Sequence, residues 1–480
     1  MLGVYGLLDR LLHVAMKTVR HSPLDKAQTI IASLVMGCAH TKAINDTLGE
    51  EEAAANYLGK ERWPDQSQIN RYLTRFTAEN VDERGAVHEQ ALRQESRARR
   101  TGGLLVVDID QCGLVANGQT YEFQRKGYVP RKRGDKGYQL SLAYIGAYEE
   151  AVALYLDPGN VHCTGRLHDL LRATDRLFGP EETAVELLRR LDAGYDSAAN
   201  RVLLAGLPGY VLLKGAQPEL AERLAQRIPL QHGLPLADDV HGAEVAPDVS
   251  GLRRLVYELH QADGTVDDAL LYTNLPATWT PGPLFALYNE RATIEAFFCA
   301  SRHVYNIQNM RSRKFHAIYA FLRFVALTHN LLVWTKHARL ARPDLASASV
   351  EGNADAAEAT TDSVRAFDLA TATTRQLVSY AARVRSHSSC ALSQSSCAGN
   401  PTVPAPSCSC PSRARDKRRL HGTRRADRRT FCGILCRMAQ VQWNNPLTIC
   451  GIPVPPTPGI GSLSVGSYST GPRPGAVELG

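Results

Sequence analysis

Long apolar runs are missing from the sequence. Runs such as residues 321–327 and 331–334 are separated by Thr328, His329 and Asn330. Neither approaches the roughly 20 apolar residues that a membrane-spanning helix needs. The N-terminus also lacks the basic start, apolar centre and small-residue cleavage site of a secretory signal. We therefore expect a cytoplasmic protein that has no membrane partner.

An excess of one charge is also missing from most of the chain. The 480 residues carry 55 Lys and Arg and 48 Asp and Glu, which gives a net charge of +7. Residues 386–480 hold 11 of the basic and 3 of the acidic side chains, so residues 1–385 have a net charge of −1. Net charge therefore gives no indication that the main body binds nucleic acid.

Cysteine is scarce before residue 386, and most of the eleven cysteines lie after it. These are Cys390, Cys397, Cys408, Cys410, Cys432, Cys436 and Cys450. Two close pairs, Cys408/Cys410 and Cys432/Cys436, offer the ligand type of zinc. They lack the common CxxC spacing and a surrounding apolar segment, which argues against a zinc site. Disulfides are not expected either, because cytosolic thiols are kept reduced.

The first hundred residues have apolar side chains at helical spacing, which predicts a helical domain over 1–100. One short helix in it has a capping residue at its start, Asp65 or Ser67. Its early positions are Gln68, Asn70 and Arg71, and such polar residues are what a helix-turn-helix presents to base edges. We predict that these three contact DNA; the alternative is a capped surface helix inside the domain.

Residues 101–215 alternate strand and helix patterns, which predicts a mixed α/β sheet. The predicted strands cover 103–110, 120–124, 137–145, 151–156 and 209–213. Residues 166–178 and 181–189 have helical spacing, and a short apolar stretch at 187–191 leads into Asp192.

The remainder of the chain divides into three parts. Residues 216–283 are irregular apart from a hairpin, 254–260 and 269–272, around Ala262-Asp263-Gly264. Residues 284–340 are strongly helical. From 341 the pattern decays, and after Ser386 the Ser, Pro, Cys, Arg and Gly content predicts disorder. The change at Ser386 is also consistent with translation in a shifted reading frame, a hypothesis that the locus sequence would test.

Three carboxylates from separated parts of the chain stand out. Asp110 ends the predicted strand 103–110, and Asp192 precedes a glycine turn. Taken alone, either aspartate is more often a cap or turn residue. Glu295 lies in a helical segment with Tyr288, Arg291 and Arg302, whose spacing predicts one shared helix face. The alternative for that face is a solvated surface stabilised by Arg291–Glu295 pairing.

Together, Asp110, Asp192 and Glu295 form the ligand set that can hold two divalent cations about 3.5–4 Å apart for in-line attack on a phosphodiester. Magnesium prefers such oxygen ligands, so we expect two Mg²⁺ ions, with Mn²⁺ as a substitute. One ion would activate water or a 3′-hydroxyl, and the other would stabilise the leaving oxygen.

The segment 288–302 resembles the Y-(2)-R-(3)-E-(6)-K signature of cut-and-paste DDE insertion-sequence transposases, with Arg302 where that family usually has Lys. By this resemblance Asp110 is the first catalytic aspartate, Asp192 the second and Glu295 the glutamate. The first motif departs from the frequent Asp-x-Thr, so Asp108 is an alternative to Asp110. The similarity covers roughly residues 20–340.

For the fold, the resemblance implies a ribonuclease-H-like catalytic core within an α/β fold class. Its two parts would be residues 101–215 and 284–340, separated by a β-rich insertion at 216–283. The helical domain at 1–100 would bind DNA. Residues 341–480 would be a linker and a disordered tail.

For function, the resemblance implies metal-dependent cleavage and strand transfer at the terminal inverted repeats of the protein's own mobile element. The partner would be double-stranded DNA, both repeat and target site, bound by a dimer in the bacterial nucleoid. Tyr288, Arg291 and Arg302 would hold the DNA backbone, which makes binding strongly salt-dependent. Two alternatives to this function stay open. In these the chain is either a decayed transposase that only binds DNA or a related nuclease that cuts without joining strands.

Overall fold

A computed structural model of the chain describes residues 3–17, 20–127, 134–227, 240–261 and 263–340. The predicted disordered tail, the cysteine pairs within it and the composition change at Ser386 lie outside the described residues. Ala262 of the predicted hairpin turn does so as well.

In the part of the chain that the structure describes, six α-helices precede the first strand, which confirms the helical pattern predicted there. They are α1 (Val4–Leu11), α2 (Pro23–Val35), α3 (Ala43–Thr47), α4 (Glu52–Tyr57), α5 (Gln66–Leu73) and α6 (Ala78–Glu95). A capping box starts α2, because the Ser22 hydroxyl accepts from the Asp25 amide and the Asp25 carboxylate accepts from the Ser22 amide. The buried face of α2 includes Ile30, Ile31 and Leu34.

Nine strands within the described residues form one mixed sheet. They are β1 (Gly103–Val115), β2 (Arg125–Lys126), β3 (Lys136–Ile145), β4 (Glu150–Pro158), β5 (Val185–Leu191), β6 (Tyr210–Lys214), β7 (Val240–Val245), β8 (Arg253–His260) and β9 (Val266–Thr273). The order is β2-β3-β1-β5-β6-β9-β8-β7, and β4 also pairs with β3. Strands β5 and β6 run parallel to β1, whereas the other pairs are antiparallel. The mixed α/β class predicted from the sequence is confirmed.

The remaining helices lie between or after these strands. They are α7 (Leu167–Phe178), α8 (Ala198–Ala205), α9 (Pro218–Ala225), α10 (Pro281–Asn289), α11 (Ala292–His303) and α12 (Phe315–Leu340). The strongly helical pattern predicted for 284–340 is therefore confirmed. Helix α9 was not predicted, since residues 216–283 looked irregular outside their hairpin.

Residues Phe315–Ala338 of α12 are long and apolar enough to cross a membrane, yet 83% of their most apolar stretch is buried inside this fold. The polar residues Thr328, His329 and Asn330 do not interrupt the helix. The Asn330 side chain accepts a hydrogen bond from the Ala151 amide at 2.9 Å and donates one to the Ala151 carbonyl at 2.8 Å. The backbone of β4 thus satisfies a buried amide, as the interior of a protein requires.

Two predicted elements are wrong. Residues 181–189 were predicted to be helical, but 185–191 form β5, which lies between β1 and β6. A strand paired on both sides is set by its neighbours rather than by its own apolar spacing. Residues 120–124 form no strand, and only Arg125 and Lys126 pair with β3 there.

The predicted hairpin is confirmed as β8 and β9. These strands do not stand apart from the first half of the sheet, because β9 pairs antiparallel with β6. The segment predicted to be a β-rich insertion therefore extends the central sheet, with β7 at its edge.

Candidate active site

Asp110 lies in the middle of β1, which corrects the prediction that it ends a strand. Strand β1 continues to Val115 because its second half pairs with β3. Pairing of β1 with β5 stops at Ile109 and Leu191. Asp110 is the next residue of β1 and Asp192 is the first residue after β5, so the two carboxylates lie on neighbouring segments where β5 ends.

Arg291 joins all three predicted carboxylates. Its Nη1 donates to Asp110 Oδ2 at 2.8 Å, and its Nη2 lies 3.7 Å from Asp192 Oδ1 and 3.7 Å from Glu295 Oε1. The Arg291 side chain is 12% exposed, against 40% for Asp192 and 65% for Glu295. The fold thus gathers one carboxylate from β1, one from the end of β5 and one from α11 around a single guanidinium.

The spacing of residues 288–302 predicted one continuous helix. The structure instead divides this segment between two helices. Tyr288 belongs to α10, and Arg291 immediately precedes α11. Between them the amides of Arg291, Thr293 and Ile294 bond to carbonyls three residues back, at 3.1–3.3 Å. Such 3₁₀-type bonds tighten the backbone and change the direction in which side chains leave it. Ile294, Phe297 and Phe298 of α11 are buried.

Tyr288 contacts the second aspartate. Its hydroxyl donates to Asp192 Oδ1 at 3.3 Å, and the side chain is largely buried. Burial raises the pKa of Tyr288 well above its ordinary value, so the hydroxyl keeps its proton and remains a donor. Tyr288 therefore orients Asp192 as the structure stands.

Burial also raises the pKa of Asp110. Arg291 opposes this shift, as does the Gln111 amide that donates to Asp110 Oδ1 at 2.7 Å, whereas the negative charge of Asp192 adds to it. A cation beside Asp110 is therefore favourable, because it stabilises the ionised form that burial disfavours.

Asp108 is built into the core. Its side chain is fully buried, and its two oxygens accept from Arg190 Nε at 2.6 Å and Nη2 at 2.9 Å. Thr293 donates to Oδ2 at 3.3 Å. This arrangement crosses from β1 to its register partner on β5 and on to α11. Sequence analysis missed Arg190, although two adjacent arginines in a buried apolar stretch were a usable signal.

Arg302 lies on α11 beside Cys112, two residues beyond Asp110 on β1. Burial raises the pKa of Cys112 to about 12, so it is a neutral thiol despite the nearby guanidinium. Arg302 is half-buried, and its Nε has no hydrogen-bond acceptor among the described residues.

The predicted DNA-reading residues lie on α5. Asp65 caps this helix by accepting from the Ser67 and Gln68 amides. Arg71 is exposed and bonds back to Ser67, whereas Gln68 and Asn70 are only half-exposed. The outer face of α5 thus runs through Ser67 and Arg71, and sequence analysis had not included Ser67 among the contacts.

The residues that could hold a metal are Asp110, Asp192 and Glu295. They offer hard carboxylate oxygens, and Asp192 and Glu295 are open to solvent. They already share one cationic neighbour, Arg291, so they face a common point. As hard-oxygen donors the three suit a divalent cation, although here Arg291 joins them and, among the described residues, their oxygens do not all lie within 4.8 Å of one another. Asp108 is less suited, because its side chain is fully buried and paired with Arg190.

Comparison with known proteins gives a family match for slightly less than half of the chain. Residues 101–331 match the family model described as the transposase DDE domain. This match supports a DDE transposase. It begins at the base of β1 and ends inside α12, so it includes Asp110, Asp192 and Glu295. No curated protein matches the chain significantly.

Two solved structures are similar to parts of the chain. One is a piggyBac transposase synaptic complex with hairpin DNA, at 11% identity and a TM-score of 0.36, covering 75% of this chain and 84% of that one. The other is a mariner Mos1 paired end complex with Mg, at 14% identity and a TM-score of 0.12, covering 46% of this chain and 62% of that one.

Proposed function

We propose that this chain is a DDE transposase of the insertion-sequence type, which cleaves and joins DNA at the terminal inverted repeats of its own element. The observation that carries the proposal is the meeting of Asp110, Asp192 and Glu295 around Arg291. Three carboxylates from distant parts of the chain converge at one point within the segment that matches the DDE domain.

The proposed core is ribonuclease-H-like. Three antiparallel strands, β1, β3 and β4, are followed by β5 and β6, which run parallel to β1. Asp110 lies on β1 and Asp192 immediately follows the neighbouring β5, at the strand end where side chains can reach a common crevice. On this proposal, β7–β9 are the inserted material that widens the sheet.

Asp110, Asp192 and Glu295 would hold two Mg²⁺ ions, for which Mn²⁺ could substitute. When bound, such a pair about 3.5–4 Å apart supplies an activated nucleophile and stabilises the leaving oxygen. The protein's own residues orient the carboxylates. The Gln111 amide fixes one oxygen of Asp110, and the Tyr288 hydroxyl fixes one oxygen of Asp192. Arg291 balances their charge.

DNA would approach from the exposed side of the carboxylates. By the family resemblance, Arg302, Arg291 and Tyr288 would contact the DNA backbone there. Exposed Arg71 on α5, with half-exposed Gln68 and Asn70, would read the repeat. Two copies bound to two DNA ends would give the dimer expected in the complex, in the cytoplasm at the nucleoid.

Strand cleavage of DNA that carries the element's terminal repeats tests this proposal. We expect nicking at the repeat ends with Mg²⁺ and none with EDTA. Asp110→Ala, Asp192→Ala and Glu295→Ala should each reduce cleavage by about 10³-fold or more, because a catalytic metal site is lost. Strand-transfer products should appear when target DNA is added.

The outcomes separate the alternatives. Cleavage without any strand transfer would indicate a nuclease that cuts but does not join. Repeat binding without cleavage in every condition would indicate a decayed transposase that acts only as a DNA-binding protein. Cleavage that persists after all three replacements would reject this active site.

Arg291→Met should destabilise the metal-free protein by about 1.5–3 kcal/mol, because a charged hydrogen bond to the mostly buried Asp110 is lost. Mg²⁺ should then raise the melting temperature of the variant more than that of the wild type, since three carboxylates lack a counter-charge. Thermal unfolding with and without Mg²⁺ measures both effects. Arg291→Lys, which keeps the charge, is the matched control. An equal response to Mg²⁺ in all three proteins would contradict this role of Arg291.

A further inference from the structure

A second group of potential metal ligands lies at the other end of the sheet, on β7 and β8. His241 Nδ1 is 4.0 Å and His260 Nε2 is 3.8 Å from Glu258 Oε2. The two imidazole rings are 4.7 Å apart between centroids. One ligand atom from each residue lies within 4.8 Å of the other two.

Strand register explains why these side chains meet. His241 and Glu258 are directly opposed in the antiparallel pair of β7 and β8. His260 is two residues beyond Glu258, so it points to the same face of the sheet. The three side chains are partly exposed, at 21%, 27% and 41% for His241, Glu258 and His260.

Negative charge accumulates beside the two histidines. Asp268 on β9 is the register partner of Glu258, and it also interacts electrostatically with Glu222 of α9. The Asp268 Oδ1 atom is buried and has no hydrogen-bond donor among the described residues. Carboxylates directly opposed on neighbouring strands repel each other, and a bound cation would remove that repulsion.

The donor set selects the kind of ion. Two imidazole nitrogens and one carboxylate oxygen suit zinc and related transition metals, whereas magnesium prefers oxygen ligands alone. Tetrahedral ligands at about 2.0–2.1 Å from zinc are about 3.4 Å from one another. The observed separations of 3.8 and 4.0 Å need only small side-chain rotations, and His260 is exposed enough to make them.

We propose that His241, Glu258 and His260 form a transition-metal site, with Zn²⁺ as the best-fitting ion, and that it fastens edge strand β7 to β8. Strand β7 pairs only with β8 among the described strands. The site uses none of the residues of the proposed active site, and β9, β6 and β5 separate it from β1 in the sheet. The proposal therefore does not depend on transposase activity.

Zn²⁺ binding by the full-length chain tests the site, measured by titration calorimetry and by the zinc-induced rise in melting temperature. We compare wild type with Glu258→Gln and with the double variant His241→Ala/His260→Ala. In both variants we expect either the loss of one bound Zn²⁺ per chain or a decrease of about tenfold or more in its affinity. Even outer-shell changes cost about 10–100-fold in metal affinity. His168→Ala, which removes an exposed histidine elsewhere, is the matched control and should bind as wild type does.

Two further arms exclude other zinc ligands. Asp110→Ala should keep the same Zn²⁺ equivalent, so its loss there would assign the binding to the proposed active site and overturn this one. Co²⁺ spectra should show a component without thiolate charge transfer that disappears in the double variant. If wild type and double variant bind equal Zn²⁺ with equal affinity, the site does not exist.

Discussion

Asp108→Ala should destabilise the protein by about 3–5 kcal/mol, because it removes the buried carboxylate that holds Arg190 at two points and leaves only the exposed Glu290, 3.7 Å away, to balance its charge. Both side chains are at most 4% exposed, and two hydrogen bonds of 2.6 and 2.9 Å join them. Removing one member of such a pair leaves an uncompensated charge in the core. Denaturant unfolding without metal measures the loss.

Two controls identify the cause of this loss. Replacing both partners, as in Asp108→Leu/Arg190→Met, should recover much of the stability, because apolar residues of similar volume replace a buried pair at little cost. Asp110→Asn should leave folding nearly intact while it abolishes cleavage. Equal loss of stability for Asp108→Ala and Asp110→Ala would contradict the division of roles between the two aspartates.

This comparison also decides which aspartate holds metal. Asp108 was the alternative first ligand by sequence, and it stays in the experiment for that reason. If Asp108→Asn folds normally but loses Mg²⁺-dependent cleavage, Asp108 is the ligand and the proposed site must be redrawn. We expect instead that its effect on cleavage follows its effect on folding.

Acid should destabilise the fold strongly between pH 6.5 and 4.5. His88 and His329 are buried against β4, where each ring nitrogen Nε2 lies 2.8 Å from a backbone carbonyl. Burial lowers the pKa of His88 to about 3 and that of His329 to about 4, with Arg84 adding to the first shift. Both are therefore neutral in the folded protein at neutral pH.

Proton uptake by the unfolded chain sets the direction in which the free energy of unfolding changes with pH. In the unfolded chain a histidine binds its proton near pH 6.5, so below that pH the unfolded state holds more protons than the folded state. Stability is full above about pH 6.5 and falls as pH drops towards the folded values. At about 1.4 kcal/mol per pH unit and residue, the two histidines together cost up to about 5 kcal/mol by pH 4.5.

Denaturant unfolding across this pH range measures the effect. His88→Gln and His329→Gln remove one titrating group each, so each should flatten the fall in stability, whatever it does to stability at pH 7. His168→Gln, on the exposed side of α7, is the control for replacing a histidine. Unchanged slopes in both buried variants would show that other groups cause the acid sensitivity.

Much of the candidate site could be predicted from the sequence, because its chemistry is encoded in residue type and spacing. Asp110, Asp192 and Glu295 were predicted from the sequence as ligands, a role that stays a prediction, and Tyr288 and Arg291 were predicted to lie near Glu295. The helical N-terminal segment and the hairpin of β8 and β9 were also predicted from the sequence. The helical and strand patterns depend on residues only a few helix turns or a few strand positions apart.

Tertiary structure alone decided how these residues are used. Asp108 and Asp110 are two positions apart on one strand, and only the arginine opposite one of them on β5 makes it a core residue. Arg291 was predicted as a phosphate contact, yet the fold turns it towards three carboxylates. The His241–Glu258–His260 group was not predicted at all, because it depends on the register of β7 against β8.

The physical reason is the same in each case. Periodicity and residue type are properties of a short segment, so the sequence by itself determined which side chains could ligate a metal and which faces would be buried. Strand pairing, burial and the nearest opposite charge depend on segments up to about two hundred residues away along the chain. The helical spacing at 181–189 therefore predicted a helix where pairing with β1 and β6 forms strand β5. The spacing at 288–302 predicted one helix face where a turn separates α10 from α11.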